Sequence, residues 1–380
     1  MKISGDWIAH SGTQRLLQAL DQAGHRALFV GGCVRNALLV LPVNDVDIAT
    51  DAVPETVTNI AKTAGFRVIP TGIGHGTVTV IAGDVAHEVT TFRKDVTTDG
   101  RHATVAFSDS VIQDAARRDF TMNALYADLS GQVIDPLNGL ADVLSRHVRF
   151  VGDPDLRIRE DYLRILRFFR FYAIYGDCDA GIDADGLAAC AENAEGIAGL
   201  SSERIGTEMR KLLAAPNPAA AVSSMAQAGV LARILPGADA HGLARLVHVE
   251  GDSAPRWQRR LVLIGGENPS EHLCLSRLET GSIARIKTEI GSSLSVAAMG
   301  WKLGVTEAKD VILCRAALLE MPLPENWRKH VEQGSRAKMP VTAADLMPEL
   351  TGPALGEKLR QCEQRWLASD LRLTKAQLLA

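Results

Sequence analysis

Aromatic residues make up only 5% of this 380-residue chain. No run of about 18 apolar residues occurs that would cross a bilayer. The opening segment Met1–His10 has no basic-then-apolar signal pattern, so the expected location is the cytoplasm. Paired cysteines are missing too. Cys33, Cys178, Cys190, Cys274, Cys314 and Cys362 are scattered with no CxxC spacing, which argues against a zinc site or a disulfide framework. They are expected to be free thiols, mostly in the core. Nor is there a basic surplus: the net charge is −4, whereas phosphate binding usually leaves a basic footprint. Local patches remain open, because basic residues concentrate at Arg157, Arg159, Arg164, Arg167 and Arg170, at Arg204, Arg210 and Lys211, and at Arg256, Arg259 and Arg260.

What the chain does have is enough apolar content, 46% hydrophobic, to build two or more cores. Its character changes near residue 150. Before that point, β-branched runs at Ala27–Val30, Asp45–Ile48, Thr77–Ile81, His87–Thr91 and Gln132–Ile134 alternate with helical stretches and glycine turns. Beyond it, Ala/Leu/Arg/Glu-rich segments with helical spacing are punctuated by Pro216, Pro218, Pro236, Pro255, Pro322 and Pro324. The expected fold is an α/β head, a small mixed sheet with helices, over residues 1–150, followed by an all-α remainder.

Two constellations in the head carry chemistry. Leu28–Asn36 reads as a strand ending in Gly31-Gly32 and opening a helix, a geometry that offers backbone N–H groups to an anion, with Arg35 on its first turn as a further phosphate partner. By itself such a turn is more often a plain tight connection. Downstream lies Asn44-Asp-Val-Asp-Ile-Ala-Thr50. Residues two apart in a strand share a side, so Asp45 and Asp47 would project together while Val46 and Ile48 face the core. Like charges side by side are costly unless a cation lies between them, and hard oxygen ligands suit Mg²⁺. Glu88, in His87–Arg93, supplies a third carboxylate. Three acids of this kind can serve two-metal phosphoryl transfer, in which two Mg²⁺ ions activate a hydroxyl and neutralise the α-phosphate.

Together these residues resemble the bacterial and eukaryotic type of CCA-adding tRNA nucleotidyltransferase and its relative poly(A) polymerase. Gly31-Gly-Cys-Val-Arg-Asn36 through Asp45-Val-Asp-Ile-Ala-Thr50 is similar to the motif GGxVRD followed by DxDIAT. Gly74-His-Gly-Thr77, Glu88-Val-Thr-Thr-Phe-Arg93, Arg117-Arg-Asp-Phe-Thr-Met-Asn-Ala124 and Asp135-Pro-Leu-Asn-Gly139 look like further family segments. The resemblance implies that Asp45 and Asp47 bind metal, that Glu88 completes the catalytic acids, and that Gly32, Arg35 and Arg118 meet the incoming triphosphate. There is one departure: Asn36 stands where the family has aspartate, which leaves its role in orienting Arg35 or a ribose open.

Glu160-Asp-Tyr-Leu-Arg164 is similar to the family's EDxxR motif. In one continuous helix Asp161 and Arg164 are neighbours at i and i+3, and an intrahelical salt bridge is the plain reading. The functional one is that the pair imitates a base edge, Asp161 accepting from an exocyclic amino group and Arg164 donating to the ring nitrogen beside it. Such a pair admits CTP and ATP and rejects UTP and GTP. Arg167 and Arg170 continue the row, each turned about 60° further round the helix, and by resemblance they also face the nucleotide. Phe168, Phe169 and Phe171 beside them read as core.

The resemblance divides the helical part into a base-recognising neck, 151–215, and a body and tail, 216–380, that bind the tRNA. Ser201 or Ser202 caps a bracing helix. Arg336 and Lys338 are tail candidates for tRNA contact or ordinary surface.

Three activities share these motifs: full CCA addition, partial addition, and poly(A) synthesis. The polar segment Arg93–Phe107, holding Gly100, resembles the loop of enzymes that add the terminal A, and reads as a mobile loop over the site. That favours full CCA addition. A non-catalytic RNA-binding relative would be expected to have lost one of the acids, and a phosphohydrolase would need a His-Asp pair in the helical half, where none is found.

Overall fold

The computed structural model describes residues 1–99, 102–347 and 349–380. It forms two compact units, residues 1–201 with 227–233, and residues 202–226 with 234–380. The first unit therefore holds the head together with most of the expected neck, while the helix Ser202–Leu213 belongs to the second.

The head runs α1 (Asp6–Ala9), α2 (Ser11–Gln22), β1 (Ala27–Val30), α3 (Gly32–Leu38), β2 (Asp47–Thr50), α4 (Pro54–Thr63), β3 (Arg67–Gly72), β4 (Thr77–Ala82) and β5 (Val85–Thr91). It continues with β6 (Arg93–Asp99), β7 (His102–Phe107), α5 (Val111–Ala116), β8 (Tyr126–Ala127), β9 (Val133–Ile134) and α6 (Leu140–Leu144). One mixed sheet has the order β3-β4-β5-β2-β1-β8-β9. Only the central β2–β5 pair is parallel.

Alternation along β1 and β2 sorts their side chains onto two faces. Leu28, Val30 and Ala49 join Phe92, Val111, Ala115, Ala124, Tyr126 and Val151 in one buried cluster. Phe29 and Ile48, register partners, point the other way, where α2 buries Leu16, Leu17 and Leu20 and α4 buries Val57 and Ala61.

Three expectations shift. β2 starts at Asp47 rather than Asp45, because its ladder with β5 opens at the Asp47–Glu88 pair. β3 was not anticipated: it is an edge strand with little alternation, and only an edge position accommodates Pro70. Residues 93–99 and 102–107, expected within a mobile loop, pair as a two-stranded antiparallel ribbon, β6 with β7. Gly100, the glycine expected to loosen it, lies outside the described residues.

The neck helices α7 (Pro154–Glu160), α8 (Leu163–Tyr175) and α9 (Ala184–Glu192) follow in the same unit. Asp153 caps α7, accepting from the Leu156 N–H at 3.1 Å, with Pro154 at its first position. Phe120, Phe150, Phe168 and Phe171 pack ring against ring at 4.7 to 5.3 Å between centroids, fixing α8 to the head. Phe168, Phe169 and Phe171 are buried, as expected of core residues.

The second unit is helical among its described residues, and the prolines expected as punctuation fall between helices. The basic trio there does not form a surface patch. Arg259 and Arg260 are 2% and 0% exposed. Arg259 donates to Glu250 at 2.7 Å and Asp310 at 3.0 Å, and Arg260 to Glu250 at 2.7 Å and the Leu213 carbonyl at 2.7 Å. Arg256 pairs with Asp310 at 2.8 Å. Arg259 and Arg260 are buried ties between helices, with the half-buried Arg256 at their edge. Farther on, Val341, Leu346, Cys362, Trp366 and Leu378 form a separate small core, with Arg336 and Lys338 exposed nearby in sequence.

The cysteines are free, four of them buried. No helix among the described residues is long and apolar enough to cross a membrane.

Candidate active site

The parallel β2–β5 ladder sets Asp47 opposite Glu88 in register, so both side chains leave the same face of the sheet. Asp45 is exposed two residues upstream, and Val46 and Ile48 are buried, as the alternation predicted. Asp47 is half-buried. Its burial and the charge of Glu88 push its carboxyl pKa up to about 6, with a smaller push from Asp45 and an opposing pull from Arg118. The three acids and Arg118 thus share one electrostatic neighbourhood.

The turn between β1 and α3 places glycine where only glycine fits. Gly31 has φ +70°, and a Cβ there would lie 3.4 Å from an Arg118 Nη and 3.5 Å from the Asn123 carbonyl. Its N–H is committed to the Leu125 carbonyl at 3.0 Å. An anion at this turn would therefore meet the N–H groups from Gly32 onward, at the start of α3.

Arg35 lies beside that turn, one Nη 3.7 Å from where a Gly32 Cβ would sit, but its donors are turned mostly to partners within the protein. It is 6% exposed, donates to the Asn123 and Asn36 side-chain oxygens and to the Tyr175 hydroxyl at 2.7 Å, and stacks 4.0 Å over the Tyr175 ring. Burial lowers its pKa. Asn36 accepts from Arg35 at 2.9 and 3.1 Å and donates to the Pro42 carbonyl at 2.8 Å. The residue that departs from the family pattern thus does orient Arg35, and it also ties α3 to the segment leading into Asp45.

Arg118 is held from behind. It donates to Asp114 at 3.0 Å and to the Tyr126 hydroxyl at 3.2 Å, while Tyr126 donates to Asp114 at 2.6 Å. Burial opposes its charge, but Tyr126 and Asp114 outweigh that and raise its pKa, so it stays cationic. Asp119, the next residue, takes Arg167 at 2.7 Å and Asn123 at 2.9 Å. Burial resists its ionisation, yet Arg167 and Asn123 prevail and hold its pKa near 2. Sequence reasoning did not single out Asp114, Asp119 or Tyr126. Asp119 and Asn123 stand inside the motif Arg117–Ala124, which was their available signal.

The base-edge geometry needs correction. Asp161 and Arg164 are not i and i+3 on one helix, because α7 ends at Glu160 and Asp161 is extended, with φ −157° and ψ 105°. Asp161 accepts from the Leu163 N–H at 3.1 Å, at the start of α8. Arg164 pairs with Glu160 instead, and donates to the Arg157 carbonyl at 2.7 Å and the Arg117 carbonyl at 3.3 Å. The salt bridge expected from spacing is made one residue earlier, across the kink. Arg167 and Arg170 lie on α8, and both guanidinium groups rest over the Phe171 ring, at 5.4 and 4.7 Å.

Among the described residues no three His, Cys, Asp or Glu side chains form a ready-made metal cage. Mg²⁺ does not require one, since it keeps waters and shares its shell with substrate phosphates. The raised pKa of Asp47 comes first from burial and then from the charges of Glu88 and Asp45, a cost that a metal held by Asp45 and Asp47 with Glu88 alongside would offset. A His–Asp contact does occur in the second unit, His241 with Asp239 at 2.5 Å, but both residues are exposed.

A mixed sheet presenting paired acids beside a glycine turn and a braced arginine defines a nucleotidyltransferase head. Residues 27–149 match the family model described as the poly A polymerase head domain, and residues 181–241 match the one described as the probable RNA and SrmB-binding site of polymerase A. Over 203 residues, 53% of this chain and 47% of the relative, the sequence is 44% identical to the Mus musculus CCA tRNA nucleotidyltransferase 1, mitochondrial. Over 224 residues, 58% of this chain and 54% of the relative, it is 42% identical to a Geobacillus thermodenitrificans CCA-adding enzyme. These alignments span about half the length of the curated relatives. The crystal structure of the Bacillus stearothermophilus CCA-adding enzyme in complex with CTP covers 94% of this chain and 93% of its own, with 31% identity and a TM-score of 0.74. The chain belongs to the CCA-adding tRNA nucleotidyltransferase and poly(A) polymerase family.

Proposed function

We propose that the chain is a cytoplasmic enzyme that adds or repairs the 3′-terminal CCA of tRNA, taking CTP and ATP without a template and using two Mg²⁺ ions. The observation that carries this reading is the in-register Asp47–Glu88 pair, a half-buried carboxylate facing an exposed one beside Asp45, whose mutual repulsion a cation relieves. The CTP bound in the Bacillus stearothermophilus relative and the name of the mouse relative supply the substrates.

In this reading the 3′-hydroxyl of the RNA attacks the α-phosphate of the nucleotide and pyrophosphate leaves. Cations held by Asp45 and Asp47 would supply charge neutralisation at the α-phosphate and acidify the attacking hydroxyl. The chain's own part is positioning. Arg118, fixed by Asp114 and Tyr126, meets the triphosphate, together with N–H groups of the Gly32 turn. Arg35 acts from behind as a brace between α3 and α8, linked to Asn36, Asn123 and Tyr175. Asp161 and Arg164 read the base edge. The kink at Asp161 favours this role, because it turns both side chains from an intrahelical pair into groups anchored separately, by Leu163 and by Glu160. Arg167 and Arg170 complete the cationic wall over Phe171.

The test offers tRNA transcripts ending at the discriminator base, at C and at CC to the protein with Mg²⁺ and each nucleotide singly. The expected result is C on the first two, A on the third, and refusal of UTP and GTP. Long A tails on any RNA would move the assignment to poly(A) polymerase, and addition confined to A after CC would make it a partial enzyme.

A further inference from the structure

The two faces of the sheet put different chemistry on either side of β5. Glu88 points to the acid face, and the neighbouring His87 points to the other, into the layer where α2 packs. His87 is fully buried, as is Thr13 on α2. The imidazole Nδ1 lies 3.2 Å from the Val46 carbonyl, and Nε2 lies 3.0 Å from the Thr13 hydroxyl. A carbonyl oxygen only accepts, so Nδ1 carries the proton. In the neutral ring Nε2 is then the acceptor facing the Thr13 hydroxyl, whose oxygen also lies 3.1 Å from His10 Nδ1. Val46 is the residue between Asp45 and Asp47. The backbone ladder between β2 and β5 begins only at Asp47, so the His87 bond extends the hold of β5 by one residue, to the peptide that joins the two aspartates.

The α2 side of this contact is rigid. A Cβ at Gly12 would sit 2.3 Å from the Ala82 carbonyl, so the start of α2 lies hard against β4, and His10 caps the helix by accepting from the Thr13 N–H at 3.3 Å.

We propose that His87 is a positioning residue for the metal-binding aspartates: through the Val46 carbonyl, and fixed in turn by Thr13, it holds Asp45 and Asp47 at the spacing a divalent cation requires. It touches neither nucleotide nor metal. The inference rests on the nucleotidyltransferase reading of those aspartates, but its test does not depend on turnover.

The probe is Mn²⁺ alone, titrated into the full-length protein and followed by the electron paramagnetic resonance signal of the free ion. In His87→Asn the amide nitrogen takes the place of Nδ1 and keeps the bond to Val46; in His87→Gln the donor sits one atom farther out. The expected result is near wild-type affinity for His87→Asn and a loss on the order of tenfold for His87→Gln, the scale seen when groups supporting metal ligands are removed. Thr13→Val, which leaves Nε2 without a donor, should weaken binding in the same direction. A merely structural His87 would lower the melting temperature in all three variants and leave Mn²⁺ affinity unchanged, which would overturn the proposal. If His87→Gln does not fold, Thr13→Val and the ¹⁵N spectrum of the wild-type ring decide, since protonation at Nε2 would also overturn it. Wild-type protein that binds Mn²⁺ with this pattern yet adds no nucleotide would count against the proposed function alone.

Discussion

Asp47→Asn should stabilise the metal-free protein while abolishing nucleotide transfer. The Asp47 carboxyl titrates at about 6 in the fold against an ordinary 3.8. At about 1.4 kcal/mol per unit, ionising it in the folded state costs about 3 kcal/mol. The sign follows from proton binding: the folded state holds this proton more tightly than the unfolded one, so stability falls as pH rises from about 4 to 6 and the full cost is present above that. Asparagine removes the charge, but it also gives up the attraction of Arg118 and still buries an amide, so the net gain is about 1–3 kcal/mol at pH 7.5. For a unit of this size each kcal/mol moves Tm by about 2–4 °C. The assay is a thermal melt in EDTA at pH 7.5 and pH 5. The variant should melt several degrees higher at pH 7.5, the gap should shrink to about half at pH 5, and saturating Mg²⁺ should raise the wild type but not the variant. A variant less stable than wild type in EDTA at pH 7.5, or a gap independent of pH, would refute the electrostatic account.

Three further outcomes follow from the geometry. Gly31→Ala forces a side chain into φ +70° against Arg118, costing about 1–2 kcal/mol, and steady-state kinetics should show a raised KM for CTP, while Gly32→Ala, whose Cβ would meet only an Arg35 Nη at 3.7 Å, should be mild. Glu250→Gln removes the carboxylate that Arg260 pairs with and one of the two that Arg259 pairs with, and should destabilise the second unit by about 3–5 kcal/mol in urea unfolding. Asp161→Ala should raise misincorporation of UTP relative to CTP by roughly tenfold or more, read by single-nucleotide extension of a tRNA ending at C.

Much of the head was legible because its signals are local. The run Ala27–Val30 became β1 with those bounds, and the alternation of Val46 and Ile48 put them in the core. What sequence spacing could not show were facts set by partners far along the chain. Asp45 precedes the strand instead of lying in it, because the position of β5 decides where the ladder starts. Arg35 looked like a phosphate ligand from its place on a helix, whereas Tyr175 and Asn123, distant in sequence, draw it inward. Arg259 and Arg260 looked like a basic patch until Glu250 and Asp310 were seen to bury them. The placing of Asp161 and Arg164 on one helix failed for a nearer reason: helical spacing assumes a continuous helix, and this one breaks at Asp161 itself. Asp114 carries no spacing signal, and the motif around Asp119 does not say what it holds; their roles come through Arg118, Tyr126 and Arg167.

The most direct test of the account is the length of the product when tRNA ending at the discriminator base and an unstructured RNA of equal length are each incubated with the protein, Mg²⁺, CTP and ATP. The account predicts that the tRNA gains CCA and stops, while the unstructured RNA gains little. Continued A addition to both, or no extension of the tRNA, would contradict it.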